Sequence, residues 1–158
     1  MNVSRVRQTP IRLGAEAKRG VRTQFGALCW RVRNDRLQIG LVTSRRTKRW
    51  IIPKGWPSDG TTPAEAAAAE AWEEAGFEGR VGEVCLGIYS YTKALDDETL
   101  LPCVVAVFPL KVKEQRRKWP EKQERRRKWF SQKKAAALVE SAELRRIIIN
   151  FDPRVLPR

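Results

Sequence analysis

Histidine is missing altogether from the 158 residues. Its absence removes imidazole as general base, as partner of a serine nucleophile and as metal ligand in one step. Cysteine is scarce and odd in number. Cys29, Cys85 and Cys103 lie far apart, each in an apolar, strand-like run. Such spacing suits neither a zinc site nor a disulfide frame, and it predicts buried, reduced thiols in a cytoplasmic protein. Long apolar runs are absent too, so no membrane partner is expected. Arg5, Arg7, Arg12, Lys18 and Arg19 interrupt the start of the chain and deny it a signal-peptide core. We read residues 1–20 as a flexible basic tail; its Arg-rich, acid-poor composition also occurs in organellar transit peptides. No internal repeat or Gly/Ser linker divides the rest, so residues 21–158 are expected to form one domain.

Acidic residues are few against the bases: 18 Asp and Glu stand against 32 Lys and Arg, a net charge of +14. An excess of this size points to a polyanionic partner, either a polyphosphorylated small molecule or, as the alternative, RNA. The bases are unevenly spread. Ten of them crowd residues 111–128, and Arg45, Arg46, Lys48 and Arg49 form a second group. A generally basic, solvated surface is the bland account of both.

What is present reads as alternating short strands and a few helices. Thr23–Val32 and Leu37–Thr43 suit a hairpin around Asn34-Asp35. Trp50–Ile52 is a short strand ending at Pro53. Val81–Tyr91 and Leu101–Val112 read as two strands around an Asp96-Asp97-Glu98 turn, and Lys128–Phe130 as another short one. Ser131 suits the N-cap of a helix through Val139. A last helix from Ala142 sets Leu144, Ile147, Ile148 and Phe151 on one packing stripe.

Residues 54–77 carry the chemistry. Thr62 and Glu65 match a capping box, Pro63 suits the first helical position and Gly76 the left-handed position after the last turn. The helix expected over Pro63–Ala75 places Glu70, Glu73 and Glu74 at i, i+3 and i+4, on one face. Three such carboxylates are either a solvated acidic flank or oxygen ligands for a hard divalent cation, Mg²⁺ or Mn²⁺. Gly55, in the loop before the helix, lets main chain come close to whatever binds there. Arg45, Arg46, Lys54 and Lys93 are candidates to grip phosphate. Trp56 suits stacking on a base, and Trp72 suits the core.

This stretch resembles the Nudix box, G-x5-E-x7-R-E-U-x-E-E-x-G-U, with U a bulky apolar residue. Gly55 takes the first glycine, Glu70 the first metal glutamate, Glu73-Glu74 the acidic pair, Gly76 and Phe77 the close. Two positions depart: Thr61 stands for the early glutamate and Ala69 for the arginine, which puts the bracing of the site and its rate in doubt. Val42–Arg46, Arg49–Pro53, Trp119-Pro120-Glu121 and Arg127–Phe130 are similar to diphosphoinositol-polyphosphate phosphohydrolases. The resemblance implies an α/β Nudix fold, a mixed sheet sandwiched between helices. It also implies divalent-metal-dependent pyrophosphate hydrolysis on a diphosphoinositol or dinucleoside polyphosphate, with a Nudix-like RNA- or polyphosphate-binding module of weak or no catalysis as the alternative. By the same analogy Glu70, Glu74 and the backbone carbonyl of Lys54 are metal ligands. Glu73 is the proton acceptor or a further ligand, and Glu124 is another carboxylate that could serve as base.

Overall fold

The computed structural model describes residues 7–11, 22–96 and 98–157. Most of the expected tail, together with Asp97 of the expected turn, lies outside the described residues.

Among the described residues eight strands and three helices follow one another: β1 (Thr23–Arg33), β2 (Arg36–Thr43), β3 (Trp50–Ile51), β4 (Lys54–Gly55), α1 (Pro63–Ala75), β5 (Phe77–Val81), β6 (Gly87–Ala94), β7 (Leu100–Gln115), β8 (Arg127–Ser131), α2 (Gln132–Leu138) and α3 (Ala142–Asn150), before a 3₁₀ turn at Pro153–Val155. The strands form one mixed sheet: β1 runs parallel to β7, and the other pairings are antiparallel. Asn34 and Asp35 both take positive φ, 53° and 60°, the geometry of a tight two-residue hairpin turn.

β1 is buried on both faces, and its alternation sorts two cores. Phe25, Ala27 and Cys29 pack with α1 and with Phe77, Phe108 and Leu110. Leu28 and Trp30 pack on the other face with Ile39, Leu41, Val105, Val107 and the α2–α3 pair. The sheet is therefore sandwiched between helices, as expected. The stripe of α3 is core as read, with Leu144, Ile148 and Phe151 buried and Ile147 packed at the edge.

The box helix meets the sheet through Ala64, Ala67, Ala71 and Ala75. Alanine brings the helix axis close to the strands, so carboxylates on its flank can reach main chain. The Glu65 N–H donates to Thr62 Oγ1 at 3.1 Å, and Gly76 takes φ 64° after the last turn. The Ala64 N–H is met by Gln8 Oε1 at 2.9 Å, and Ile11 exchanges main-chain bonds with Gly60 and Thr61. Part of the expected tail thus lies against the loop that enters the helix.

Three readings are corrected. Val81–Tyr91 is not one strand: β5 ends at Val81 and β6 starts at Gly87. A β-bulge at Glu78/Gly79 shifts the register there, and a Cβ on Gly79 would stand 1.8 Å from the Lys111 carbonyl. The chain then bends away before returning as β6. Cys85 lies in that connection and is exposed, whereas Cys29 and Cys103 are buried and free as expected. Trp72 is half-buried and belongs to neither core, because on α1 it falls beside the alanine stripe.

Candidate active site

Three short elements build the site. β4 pairs with the start of β1, Phe25 opposite Gly55 and Gly26 opposite Lys54, and this pins the loop main chain beside α1. Glu70 reaches the same place. A Cβ on Gly55 would lie 2.2 Å from the Glu70 carboxyl carbon and Oε1, so only glycine leaves room for that carboxylate. Glu74 is 6% exposed, and its Oε2 accepts the Lys54 main-chain N–H at 3.3 Å. A solvated acidic flank does not describe these two residues. Glu73 does lie on the exposed side of the helix.

Burial, then neighbouring Glu73 and Glu121, pushes the Glu70 carboxyl up to about 7. Burial also pushes Glu74 up, to about 8, against the opposing pull of Arg125 and Lys54. A half-buried and a buried carboxyl, both with raised pKa beside a tight glycine, are short of positive charge. Oxygen donors with this deficit fit a hard divalent cation. Among the described residues no three acidic, thiol or imidazole groups are already gathered as a ligand set. The structure turns Glu70 and Glu74 toward the Lys54-Gly55 main chain, with Glu73 beside Glu70 on the exposed side of the helix.

Arg125 is the residue that sequence reasoning missed. Its side chain is 7% exposed, with Nη2 3.3 Å from both Glu74 Oε1 and Glu121 Oε1 and Nη1 donating to the Thr43 carbonyl at 3.1 Å. Its buried Nε–H has no partner among the described residues. Glu121 in turn meets Arg45 at 3.4 Å. In the sequence Arg125 sits unmarked within the basic run; its i, i+4 spacing from Glu121, which lies in the Trp119-Pro120-Glu121 stretch, was the available signal.

The whole turn from Arg116 to Arg127 closes the end of α1. The carbonyls of Glu73, Glu74, Ala75 and Gly76 accept from Glu121 N, Trp119 Nε1, Arg127 Nη1 and Arg116 N, at 3.0, 3.1, 2.7 and 2.9 Å. A helix C-terminus leaves such carbonyls without intrahelical partners, and its dipole favours cations there. Arg125 and Arg127, two arginines of the basic run, therefore face inward as structure, and Arg116 contributes its main-chain N–H.

The other expected grips divide. Arg45 is exposed but tied to Glu121 and, at 3.8 Å, to Glu124, while Arg46 is exposed with no ion pair among the described residues. Lys54 Nζ turns onto the Tyr91 ring, 4.9 Å from its centroid, and Lys93 Nζ stands 5.0 Å above Trp56. Burial lowers the Lys54 pKa, with Glu74 opposing. The Tyr91 hydroxyl donates to buried Gln24. The result is a basic, partly aromatic wall facing the carboxylate pair across β4.

Comparison with known proteins bears on the family and the fold. The NUDIX domain family matches residues 22–151. The chain is similar to "Nudix hydrolase 12, mitochondrial" of Arabidopsis thaliana, 34% identical over 120 residues, 74% of this chain and 59% of that protein. It is also similar to "Diphosphoinositol polyphosphate phosphohydrolase 3-alpha" of Mus musculus, 30% identical over 113 residues, 70% of this chain and 65% of that protein. The match spans less than two thirds of either relative's length. In fold it is similar to a C. elegans Ap4A hydrolase, TM-score 0.60 at 19% identity over 82% of this chain and 93% of that one. An E. coli dihydroneopterin triphosphate pyrophosphohydrolase superposes at TM-score 0.62 and 18% identity, over 83% and 94%.

Proposed function

Because the chain belongs to the NUDIX domain family, we propose that it hydrolyses a phosphoanhydride in a highly phosphorylated small molecule, a diphosphoinositol or dinucleoside polyphosphate. The observation that supports this most directly is half-buried Glu70 and buried Glu74 against Gly55 and Lys54. Glu70, Glu74 and the Lys54 carbonyl would hold the cation, Mg²⁺ or Mn²⁺. When bound, such an ion neutralises charge on phosphate oxygens and lowers the pKa of water. The chain's own residues supply position and polarity. Gly55 admits the Glu70 carboxylate, and the main-chain N–H of Lys54 orients Glu74. Exposed Glu73 is the proton acceptor or a further ligand. Arg45, Arg46, Lys54, Gly55 and Lys93 line the approach for phosphate.

One observation favours a second reading. Both oxygens of Glu74 already accept a donor, from Arg125 and from Lys54, and Thr61 and Ala69 depart from the family pattern. A polyphosphate- or RNA-binding module with weak or no catalysis fits that arrangement. Phosphate release with and without Mg²⁺ separates the two, measured on diphosphoinositol phosphates, diadenosine polyphosphates, nucleotide sugars and capped RNA. Mg²⁺-dependent release that Glu74→Gln abolishes, in a variant that still folds, supports the enzyme. Binding of the same compounds without release in any metal supports the module.

The compartment we propose is the cytoplasm, on the three free thiols. Among the described residues no helix is long and apolar enough to cross a membrane. The relatives named as mitochondrial make an organelle the competing location, and microscopy of a C-terminally tagged chain decides between them.

A further inference from the structure

Two lysines beside the carboxylates are held by rings and not by acids. Lys54 Nζ lies 4.9 Å from the centroid of Tyr91, and Lys93 Nζ lies 5.0 Å from that of Trp56. Neither lysine has an ion pair among the described residues. The two contacts cross. Lys54 and Trp56 stand two residues apart at β4 and its exit, and Tyr91 and Lys93 two residues apart on one face of β6. Each segment therefore supplies one ammonium and one ring to the other. All four residues are half-buried. Tyr91 is itself fixed, since its hydroxyl donates to buried Gln24 and its ring lies 6.4 Å from that of buried Tyr89. The clasp adjoins the carboxylates, because the main-chain N–H of Lys54 is the one that Glu74 accepts at 3.3 Å.

A free lysine samples many rotamers and gives them up when it closes on a phosphate. An aromatic face draws the ammonium to one place without cancelling its charge, whereas a carboxylate partner would do both. Ring-seated lysines are thus positioned in advance and remain fully cationic. We propose, resting on the phosphoanhydride reading above, that Trp56 and Tyr91 are positioning residues that seat Lys93 and Lys54 for substrate phosphates. The site accordingly reads phosphates and is blind to a nucleobase. This reverses the stacking role that the sequence suggests for Trp56. A base reaching the covered face of Trp56 has to displace Lys93, and so removes a cation from beside an anionic substrate. At Tyr91 the ring already carries Lys54 and packs by Tyr89.

Calorimetric titration in Mg²⁺ tests this, with uncleavable methylene-bridged analogues of adenosine triphosphate, uridine triphosphate and inorganic triphosphate. The three should bind the parent within about 3-fold of one another, where a stacked base would separate them by roughly 5-fold or more. Trp56→Leu and Tyr91→Leu should each weaken all three alike, by roughly 3- to 10-fold. Trp56→Phe and Tyr91→Phe keep a ring and should bind like the parent, which distinguishes seating from a merely structural role. Trp56→Leu should also keep the parent's salt dependence, because Lys93 is still present, while Lys93→Gln weakens binding and flattens that dependence. The inference is overturned if the adenosine analogue binds about tenfold tighter than inorganic triphosphate and Trp56→Leu erases the difference. Leucine variants that bind like the parent, phenylalanine variants that lose as much as leucine, or a parent that binds none of the analogues overturn it too. None of these measurements needs turnover, so a lack of Mg²⁺-dependent phosphate release would count against the enzymatic reading alone.

Discussion

At the scale of single residues, half-buried Glu70 and buried Glu74 carry a pH signature. Glu70 and Glu74 stand at about 7 and about 8, above the ordinary 4.5, chiefly because burial disfavours their charged forms. A carboxyl whose folded pKa exceeds its unfolded one holds its proton more tightly in the native state. Its stabilising effect is therefore full at low pH and is lost as pH rises from about 4.5 through about 8. In chelator, the protein should unfold more easily at about pH 8.5 than at about pH 5.5. Glu70→Gln, with no proton to lose, should remove on the order of 1–3 kcal/mol of that difference. Urea unfolding of parent and variant at both pH values measures it, and equal pH responses would mean that Glu70 is not charge-starved. Added Mg²⁺ should restore stability at the higher pH, with protons released as it binds.

Among elements, the turn from Arg116 to Arg127 matters most, because it closes α1 and holds Glu74 at once. Arg125→Met would leave Glu74 and Glu121 without their shared cation, and removing one partner of a buried pair costs about 3–5 kcal/mol. Arg127→Ala removes donors to the carbonyls of Ala75 and Arg116 and the guanidinium 4.0 Å over Trp119. It should cost less, about 1–3 kcal/mol, and leave the environment of Glu74 intact. Chemical denaturation ranks the two, and an Arg127 loss exceeding the Arg125 loss would contradict the buried pairing. Ala69→Arg, which restores the family arginine on an exposed position of α1, should change turnover little, since Arg125 already supplies a cation to the glutamates. A large gain in rate would show that Glu70 still lacks orientation.

Over the whole molecule, the charge has two settings: Arg125 and Arg127 are tied into the closure of α1, and exposed bases such as Arg46 stand where we propose that phosphate is gripped. For the approach, Arg45→Ala/Arg46→Ala should raise KM more for highly charged substrates than for nucleotide sugars. Attraction grows with the number of phosphates nearby, and exposed charges are screened over about 8–10 Å at ordinary salt. Added salt should accordingly weaken the parent more than the variant. Because Arg45 is tied to Glu121 and Glu124, exposed Arg46 should account for the larger share when the two are separated. Uniform KM changes across the substrates would make both arginines ordinary surface residues.

The sequence by itself determined what depends on neighbours in the chain. The helix ends at Thr62 and Gly76, the Asn34-Asp35 turn, the stripe of α3 and the box spacing are local, because capping, positive φ and helical periodicity act over a few residues. The class of fold was legible for the same reason, from the order of strands and helices. Tertiary structure decided what depends on residues far apart. The break between β5 and β6 comes with a bulge against β7, which no local signal marks. Which carboxylates are buried is set by β4, pinned to β1 some thirty residues upstream, and by the alanines that let α1 approach the sheet. That Arg125 faces inward while Arg33 and Lys113 face out is likewise a matter of packing. All three are bases in basic surroundings, and only the folded chain brings Glu74 to one of them and leaves the others without an acid.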